Sequence, residues 1–514
     1  MKKIGRVVFA ALLCAGFLSG CVSDGHNRGV AWYVKGDYDR AIADLNDAIR
    51  LHPRYAPAFN NRGNAWYGKG DYDRAIADYN EAIRLNPQEA STYSNRSGAW
   101  YRKGDYERAI ADCNEAIRLD PQYAPAYSNR GNAWSGKGDN DRAIADLNEA
   151  IRLDPRYASA YYNRGNAWSE KGDNDRAIAD HNEAIRLDPQ DASAYYNRGN
   201  AWSGKGNHDR AIADYDEAIR LDPRKVEAFY NRGLAWSRKG DNHRAIADYD
   251  EAIRLNPKYA LAFNNRGNVW YRTGNKDRAI ADYDGAIRLD PKYARAYTNR
   301  GLAWSRKGDN DRAIADYDEA IRLDPKYAPA YTNRGSAWYR KGDNDRAIAD
   351  HNEAIRLDPL DAQHYLRRGY TQFCLGQFDA SLTDLTESLR LSANQSYAVI
   401  WRYLVQSRSG KPELATSEFL AKLGTLDRAK WPVPIIDFLL GKSAPDALLK
   451  AAEHPDAEIR RGQVCEAEFY VAEWHLLNLR LREARDLLSR AEKNCPKTFI
   501  EYEGAVAELR RMPK

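Results

Sequence analysis

Ten prolines, at positions 53, 87, 121, 155, 189, 223, 257, 291, 325 and 359, each stand 34 residues after the last. So strict a period rules out most folds. Whatever one window makes its neighbour also makes, and the copies must bury one another. Counted in windows of 34 from Val22, position 11 is Trp in ten windows (Trp32 to Trp338), and position 15 is Gly in all eleven (Gly36 to Gly376). Positions 20 and 27 are Ala in the first ten windows.

Each window reads as two helices. In the window Ala56 to Glu89, Pro57 to Lys69 is helical in pattern and stops at Gly70, a residue suited to a helix C-terminus. Asp71 is placed to cap the next helix, Asp73 adds negative charge to its first turn, and Pro87 ends it. Gly63, Ala75 and Ala82 allow close approach of the two helices, while Phe59, Trp66 and Tyr79 supply apolar bulk. The run aromatic, Gly, aromatic, Ala, aromatic, Ala, Pro at this spacing closely resembles the tetratricopeptide repeat (TPR). The resemblance implies an all-α solenoid, a right-handed superhelix of helix-turn-helix units whose first helices line a concave groove.

Charged residues make up 29% of the chain, yet 34 Tyr and 13 Trp are present. A disordered chain lacks such aromatics. The net charge of +5 includes Lys2, Lys3 and Arg6; without them about +2 remains, too little for a nucleic-acid binder.

Residues 1–20 read as a targeting segment. A basic start leads into the twelve apolar-rich residues Val7 to Leu18, short of the ~20 that a spanning helix needs. The run ends in Leu18-Ser19-Gly20-Cys21, which resembles the lipobox of bacterial lipoproteins. The resemblance implies cleavage before Cys21, lipidation of its thiol, and several acyl chains that hold firmly where one would not. Val22 follows, rather than the Asp that retains such proteins in the inner membrane of enteric bacteria, so the outer membrane, facing the periplasm, is expected.

Residues 21–395 hold eleven windows, the first and last degenerate: Gly25 stands where the others carry Phe or Tyr, and Gln372 and Ala393 replace Trp and Pro. Position 7 is Arg and position 23 is Asp in all eleven windows, for example Arg198 with Asp214. They are expected to pair across the hairpin or with the adjacent one. A charged ligand track is the alternative, and recurrence of both partners in every unit favours the structural reading.

By the same resemblance, positions 5, 9, 12 and 13 face the groove. They include Asn60, Asn64, Tyr162, Asn166, Tyr196, Asn200 and Tyr230, amides and rings suited to gripping extended peptide. Position 13 becomes Arg238, Arg272, Arg306 and Arg340 in four successive windows. This is either a solvated face or a basic stripe for an acidic tail or an anionic wall polymer.

Residues 396–514 keep helical hairpins but lose the period. Ser396 to Ser409 with Pro412 to Leu423 reads as a decayed pair, Ile435 to Leu440 with Ala444 to Ala452 as a short one, 465–498 as a further repeat, and Phe499 to Arg511 as a closing helix. Trp431 to Lys442, Phe469-Tyr470, Phe499-Ile500-Glu501-Tyr502 and Glu508-Leu509 resemble the new-lipoprotein-I (NlpI) type of outer-membrane TPR lipoprotein. That resemblance implies a periplasmic adaptor for cell-wall endopeptidases and the proteases that degrade them.

Cys465 and Cys495 begin and end one hairpin, where antiparallel helices bring them together, and a disulfide is expected in an oxidising compartment. Cys113 is expected in the packing and Cys374 nearer the surface; His181 and His351 share position 24 and read as core. No metal spacing appears among the cysteines, and no cofactor is expected. There is no phosphate loop or nucleophile elbow, so a non-catalytic scaffold is expected. It would bind envelope proteins or peptides in its groove and the membrane through its lipid; a homodimer stays open. The alternatives are an outer-membrane assembly or secretin-pilot factor and a peptidoglycan binder.

Overall fold

The computed structural model describes residues 23–392, 395–410, 431–497 and 499–513, and among them it has 28 helices and no strand. The targeting segment with Cys21, the segment Pro412 to Leu423, Ala393 and Thr498 lie outside the described residues. The chain divides into two compact units, Met1–Asp248 and Tyr249–Lys514. The first runs from the hairpin of Ser23–Lys35 and Tyr38–Leu51 into the seventh repeat. The second runs from Ala260–Arg272 and Lys276–Leu289 to Ala362–Cys374 and Phe378–Leu391, then through six more helices from Ser396–Arg408 to Ile500–Arg511.

Local chemistry explains each turn. Gly70 adopts φ 83° after the helix Ala56–Lys69, a left-handed conformation that costs glycine little, and its N–H closes on Trp66 and Tyr67 carbonyls. Asp71 then caps the helix Tyr72–Leu85, its side chain accepting from the Arg74 N–H at 3.1 Å. Position 16 is nearly always Asp or Asn doing this work.

The core of each hairpin is narrow. Ala65, Ala75 and Ala82 are essentially inaccessible, so the helices pack nearly backbone to backbone. A Cβ added at Gly63 would lie 2.7 Å from the Tyr79 ring, and one at Gly165 would lie 2.8 Å from His181. The position-24 side chain therefore fills the space that the position-8 glycine leaves. One repeat departs from this and compensates: Ser97 replaces that glycine, and the residue opposite is the small Cys113, both fully buried. The tryptophans are roofed by cations, with Lys69 and Arg74 at 5.6 and 4.6 Å from the Trp66 ring. That accounts for a chain both highly charged and rich in Trp.

The conserved-slot Arg and Asp pair within the hairpin in all eleven repeats, from Arg28–Asp44 to Arg368–Asp384. The same Arg also reaches back to the preceding repeat. Arg198 donates from Nε and Nη2 to Asp214 at 2.9 and 2.5 Å, and from Nη1 to Asn182 Oδ1 at 2.7 Å. Position 25, the second acceptor, is Asn in the early repeats and becomes an acid in Asp216, Asp250, Asp284 and Asp318. From Arg62 onward each guanidinium thus joins three helices of two adjacent hairpins. Desolvation holds the carboxyls of Asp112, Asp282 and Asp316 above their ordinary range, against the pull of their Arg partners.

Beyond Leu391 the helices share one continuous aromatic core around Trp401, Phe438, Phe469 and Tyr470. The helix Ala457–Leu477 has 21 residues and starts well before Cys465, where the periodic reading placed the repeat; Asp456 accepts from the Ile459 N–H at its start. Cys465 and Cys495 are disulfide-bonded, their Cα atoms 5.0 Å apart. Cys374 is buried rather than near the surface, its thiol pushed up to about 12 by desolvation.

Candidate protein-binding face

The first helices carry the side chains expected to line a groove, and the structure shows how those groups are already engaged. Asn60 accepts from the Asn95 amide of the next repeat at 3.1 Å. Asn64 and Asn200 each accept from the core tyrosine of their own repeat, Tyr79 at 2.8 Å and Tyr215 at 2.9 Å. Asn197 donates to the Tyr162 hydroxyl and to Asn166, and Asn231 donates to Tyr196 and Asn200 one repeat back. Tyr230 is half-buried like the rest of this row.

The donor in these contacts comes from position 6, which is Asn in ten windows from Asn27 to Asn333. It was not singled out in the sequence, although it recurs in one window fewer than the Arg at position 7. What the row can do follows from its free capacity. The Asn200 oxygen already accepts two hydrogen bonds, so its amide hydrogens are what remain to offer. The Tyr196 hydroxyl accepts from Asn231 and keeps its own proton, which burial holds more tightly than usual. The face therefore presents N–H and O–H donors, half-buried and fixed by bonds between repeats, against which peptide carbonyls or carboxylates can dock.

The basic stripe needs correction at one end. Arg238 and Arg272 are exposed. Arg306 is partly covered and donates to the Tyr271 hydroxyl at 3.2 Å. Arg340 is taken: it donates to Glu503 at 2.6 Å and to Ser305 at 2.7 Å, with 16% of its side chain exposed. Glu503 belongs to the closing helix Ile500–Arg511, which packs onto the first helix of repeat eleven and meets that of repeat ten through this pair. Arg511 of that helix donates to the Phe373 carbonyl at 2.8 Å, and Tyr370 donates to the Ile500 carbonyl. The chain's own acid thus occupies the last arginine, and an incoming partner meets at most three.

The pattern of the Tetratricopeptide repeat family matches at residues 27–90, 60–124, 230–294, 265–328, 298–362 and 332–398, which together span more than half the chain, and again at 192–225. The chain belongs to the tetratricopeptide repeat family. A second TPR pattern matches at 136–171 and 168–203. TPR proteins are in general non-enzymatic scaffolds that hold peptides or proteins in a groove. No curated protein matches the chain. Among solved structures, it is similar to the APC/C hetero-tetramer Cut9–Hcn1 at 16% identity, with a TM-score of 0.42, covering 75% of this chain and 96% of that one. Yeast Tom70 is similar at 15% identity and a TM-score of 0.41, covering 77% and 97%. YrrB, a TPR protein with an unusual peptide-binding site, is similar at 26% identity and a TM-score of 0.32, covering 37% and 97%.

Proposed function

We propose that this TPR protein is a lipid-anchored scaffold of the bacterial envelope that docks other envelope proteins on its first-helix face. The observation that carries the reading is the row of half-buried amide and phenol donors held in place by bonds from the following repeat. Such pre-organisation lowers the entropic cost of gripping an extended segment. The exposed Arg238 and Arg272 favour partners with acidic segments. Anchoring through Cys21 rests on the leader sequence, and a role beside cell-wall hydrolases or proteases rests on the resemblance of residues 431–509 to lipoproteins of that kind.

Photo-crosslinking in intact cells tests the reading. A crosslinker at Ser203 or Arg238, on the first helices, should capture discrete proteins; one at Glu217, on a second helix, should not. Equal capture from both positions, or capture of glycan strands alone from the first, would overturn it. Replacement of Cys21 by Ser should abolish metabolic labelling with palmitate and release the chain from the membrane fraction.

A further inference from the structure

The repeats are near copies, so a place where two neighbouring residues depart together stands out. Position 3 is Ala in eight windows, yet it is His364 at the start of the eleventh. Position 34 is Tyr in six windows, yet it is Asp361 just before that histidine. With Asp358, the residue that ends the helix Asn344–Leu357, these side chains meet in the turn between repeats ten and eleven. One donor atom of each lies within 4.8 Å of the others.

His364 is 2% exposed, and its two ring nitrogens differ. Nδ1 is 2.7 Å from the buried Thr332 hydroxyl. Nε2 has no hydrogen-bond partner and sits 3.7 Å from Asp361 Oδ2. A buried imidazole nitrogen facing two carboxylates without a donor or acceptor of its own is costly to leave so. Asp361 uses its other oxygen to cap the helix Ala362–Cys374, accepting from the Gln363 N–H at 2.8 Å. Asp358 accepts from the Leu360 N–H, is exposed, and opens the cluster to solvent.

We propose that Asp358, Asp361 and His364 form a binding site for a divalent cation of the zinc class. Ligand atoms held ~2.0–2.1 Å from a tetrahedral zinc are about 3.4 Å apart, so the 3.7 Å between His364 and Asp361 needs little adjustment. Neutral imidazole at Nε2 supplies one ligand, the carboxylates two more, and water the fourth. The Thr332 hydroxyl, 2.7 Å from Nδ1, is able to accept an Nδ1 proton, the tautomer that leaves Nε2 free for metal and the usual arrangement around a ligating histidine. The imidazole favours zinc over magnesium or calcium, which prefer oxygen alone. The two negative charges outweigh the weak positive end of the helix that Asp361 caps. Bound there, the cation ties the last turn of repeat ten to the first turn of repeat eleven. The two free thiols do not compete for it, since Cys113 and Cys374 are buried and held at about 12.

The chain carries its own control. Asp188 and Asp191 repeat the acid pair with the same turn bonds, to the Gln190 and Ser193 N–H groups, but Ala194 stands in place of the histidine. The test is calorimetric titration of the chelator-treated chain with zinc chloride, alongside thermal melts with and without zinc. The wild type should bind one zinc per chain and melt at a higher temperature with it. His364→Ala restores the residue found at most equivalent positions, so its folding is not at risk. Asp361→Asn keeps the helix cap. Each should bind zinc at least about tenfold more weakly and lose the melting shift. The pair Asp188→Asn and Asp191→Asn should change neither. Zinc binding that survives His364→Ala, or that falls as far on replacing Asp188 and Asp191, would overturn the site.

Discussion

The periodic repeats and the region after Leu391 are both all-helical, yet they are held together in different ways. A periodic hairpin has a narrow interior: its buried residues are mainly alanines and glycines around two larger side chains, the Ile at position 21 and the residue at position 24. Cohesion comes from the same few polar links made again in every copy, above all the arginine that binds its own Asp and the Asn or Asp one repeat back. Among the described residues, the C-terminal helices do not repeat these links. They share one aromatic cluster and bury individual acids with individual partners, such as Glu466 with Tyr397 and Trp431, and Glu508 with Arg408. In the array, stability is a sum of nearest-neighbour terms; in the tail, it belongs to a single core.

The comparison is most exposed to failure at the arginine link. Arg198→Leu leaves Asp214 and Asn182 without their donor and should cost about 3 kcal/mol, within the range for breaking a buried pair. The double variant with Asp214→Leu should recover much of that loss in thermal or denaturant melts. Simple additivity of the two single losses would reject the pairing as a coupled unit.

An effect of at most similar size distinguishes the two regions by pH. Burial lowers His181 to about 4 and His351 to about 3, and neither His181 nitrogen has a hydrogen-bond partner. Their folded values lie below the ordinary 6.5, so the unfolded chain takes up protons first as pH falls. The array should lose stability from about pH 6.5 down toward 4, by up to about 3 kcal/mol at His181. In the tail, burial raises Glu473 and Glu501 to about 8, so stability should fall in the other direction, as pH rises from the ordinary carboxyl range through 8. Limited proteolysis mapped by mass spectrometry, at pH 5 and pH 8, should show the array opening first at the acid end and the tail at the basic end. His181→Leu places there the residue that Leu147 already supplies in the preceding repeat, and should remove the acid loss around repeat five.

The smallest effect concerns the exposed rungs between repeats, such as Lys205 with Asp175. Screening by solvent limits such pairs, and Lys205→Ala should change stability by less than about 1 kcal/mol. A loss as large as that of Arg198→Leu would mean that the surface links, and not the buried ones, hold neighbours together.

The array was legible in the sequence because a period of 34 fixes every position at once. Helix boundaries, the Asp caps, the turn glycines and the Arg–Asp pair could all be read from one window and checked in ten more. The second acceptor at position 25 escaped notice because it alternates between Asn and Asp and so looks less regular than its function. The Asn at position 6 escaped because an amide gives no sign of its partner until neighbouring repeats are placed. The fate of Arg340 could not be read at all: Glu503 lies 163 residues away, and nothing periodic links them. The same limit applies to the long helix Ala457–Leu477, whose start is set by packing into the shared core rather than by a repeated proline.

Hydrogen–deuterium exchange on Arg198→Leu, at one pH and resolved by peptide, tests the nearest-neighbour account most directly. Protection should fall in the helices Asn174–Leu187, Ala192–Gly204 and His208–Leu221, which that guanidinium joins, and stay unchanged from residue 396 onward. Loss spread evenly along the whole chain, or no loss in those three helices, would contradict it.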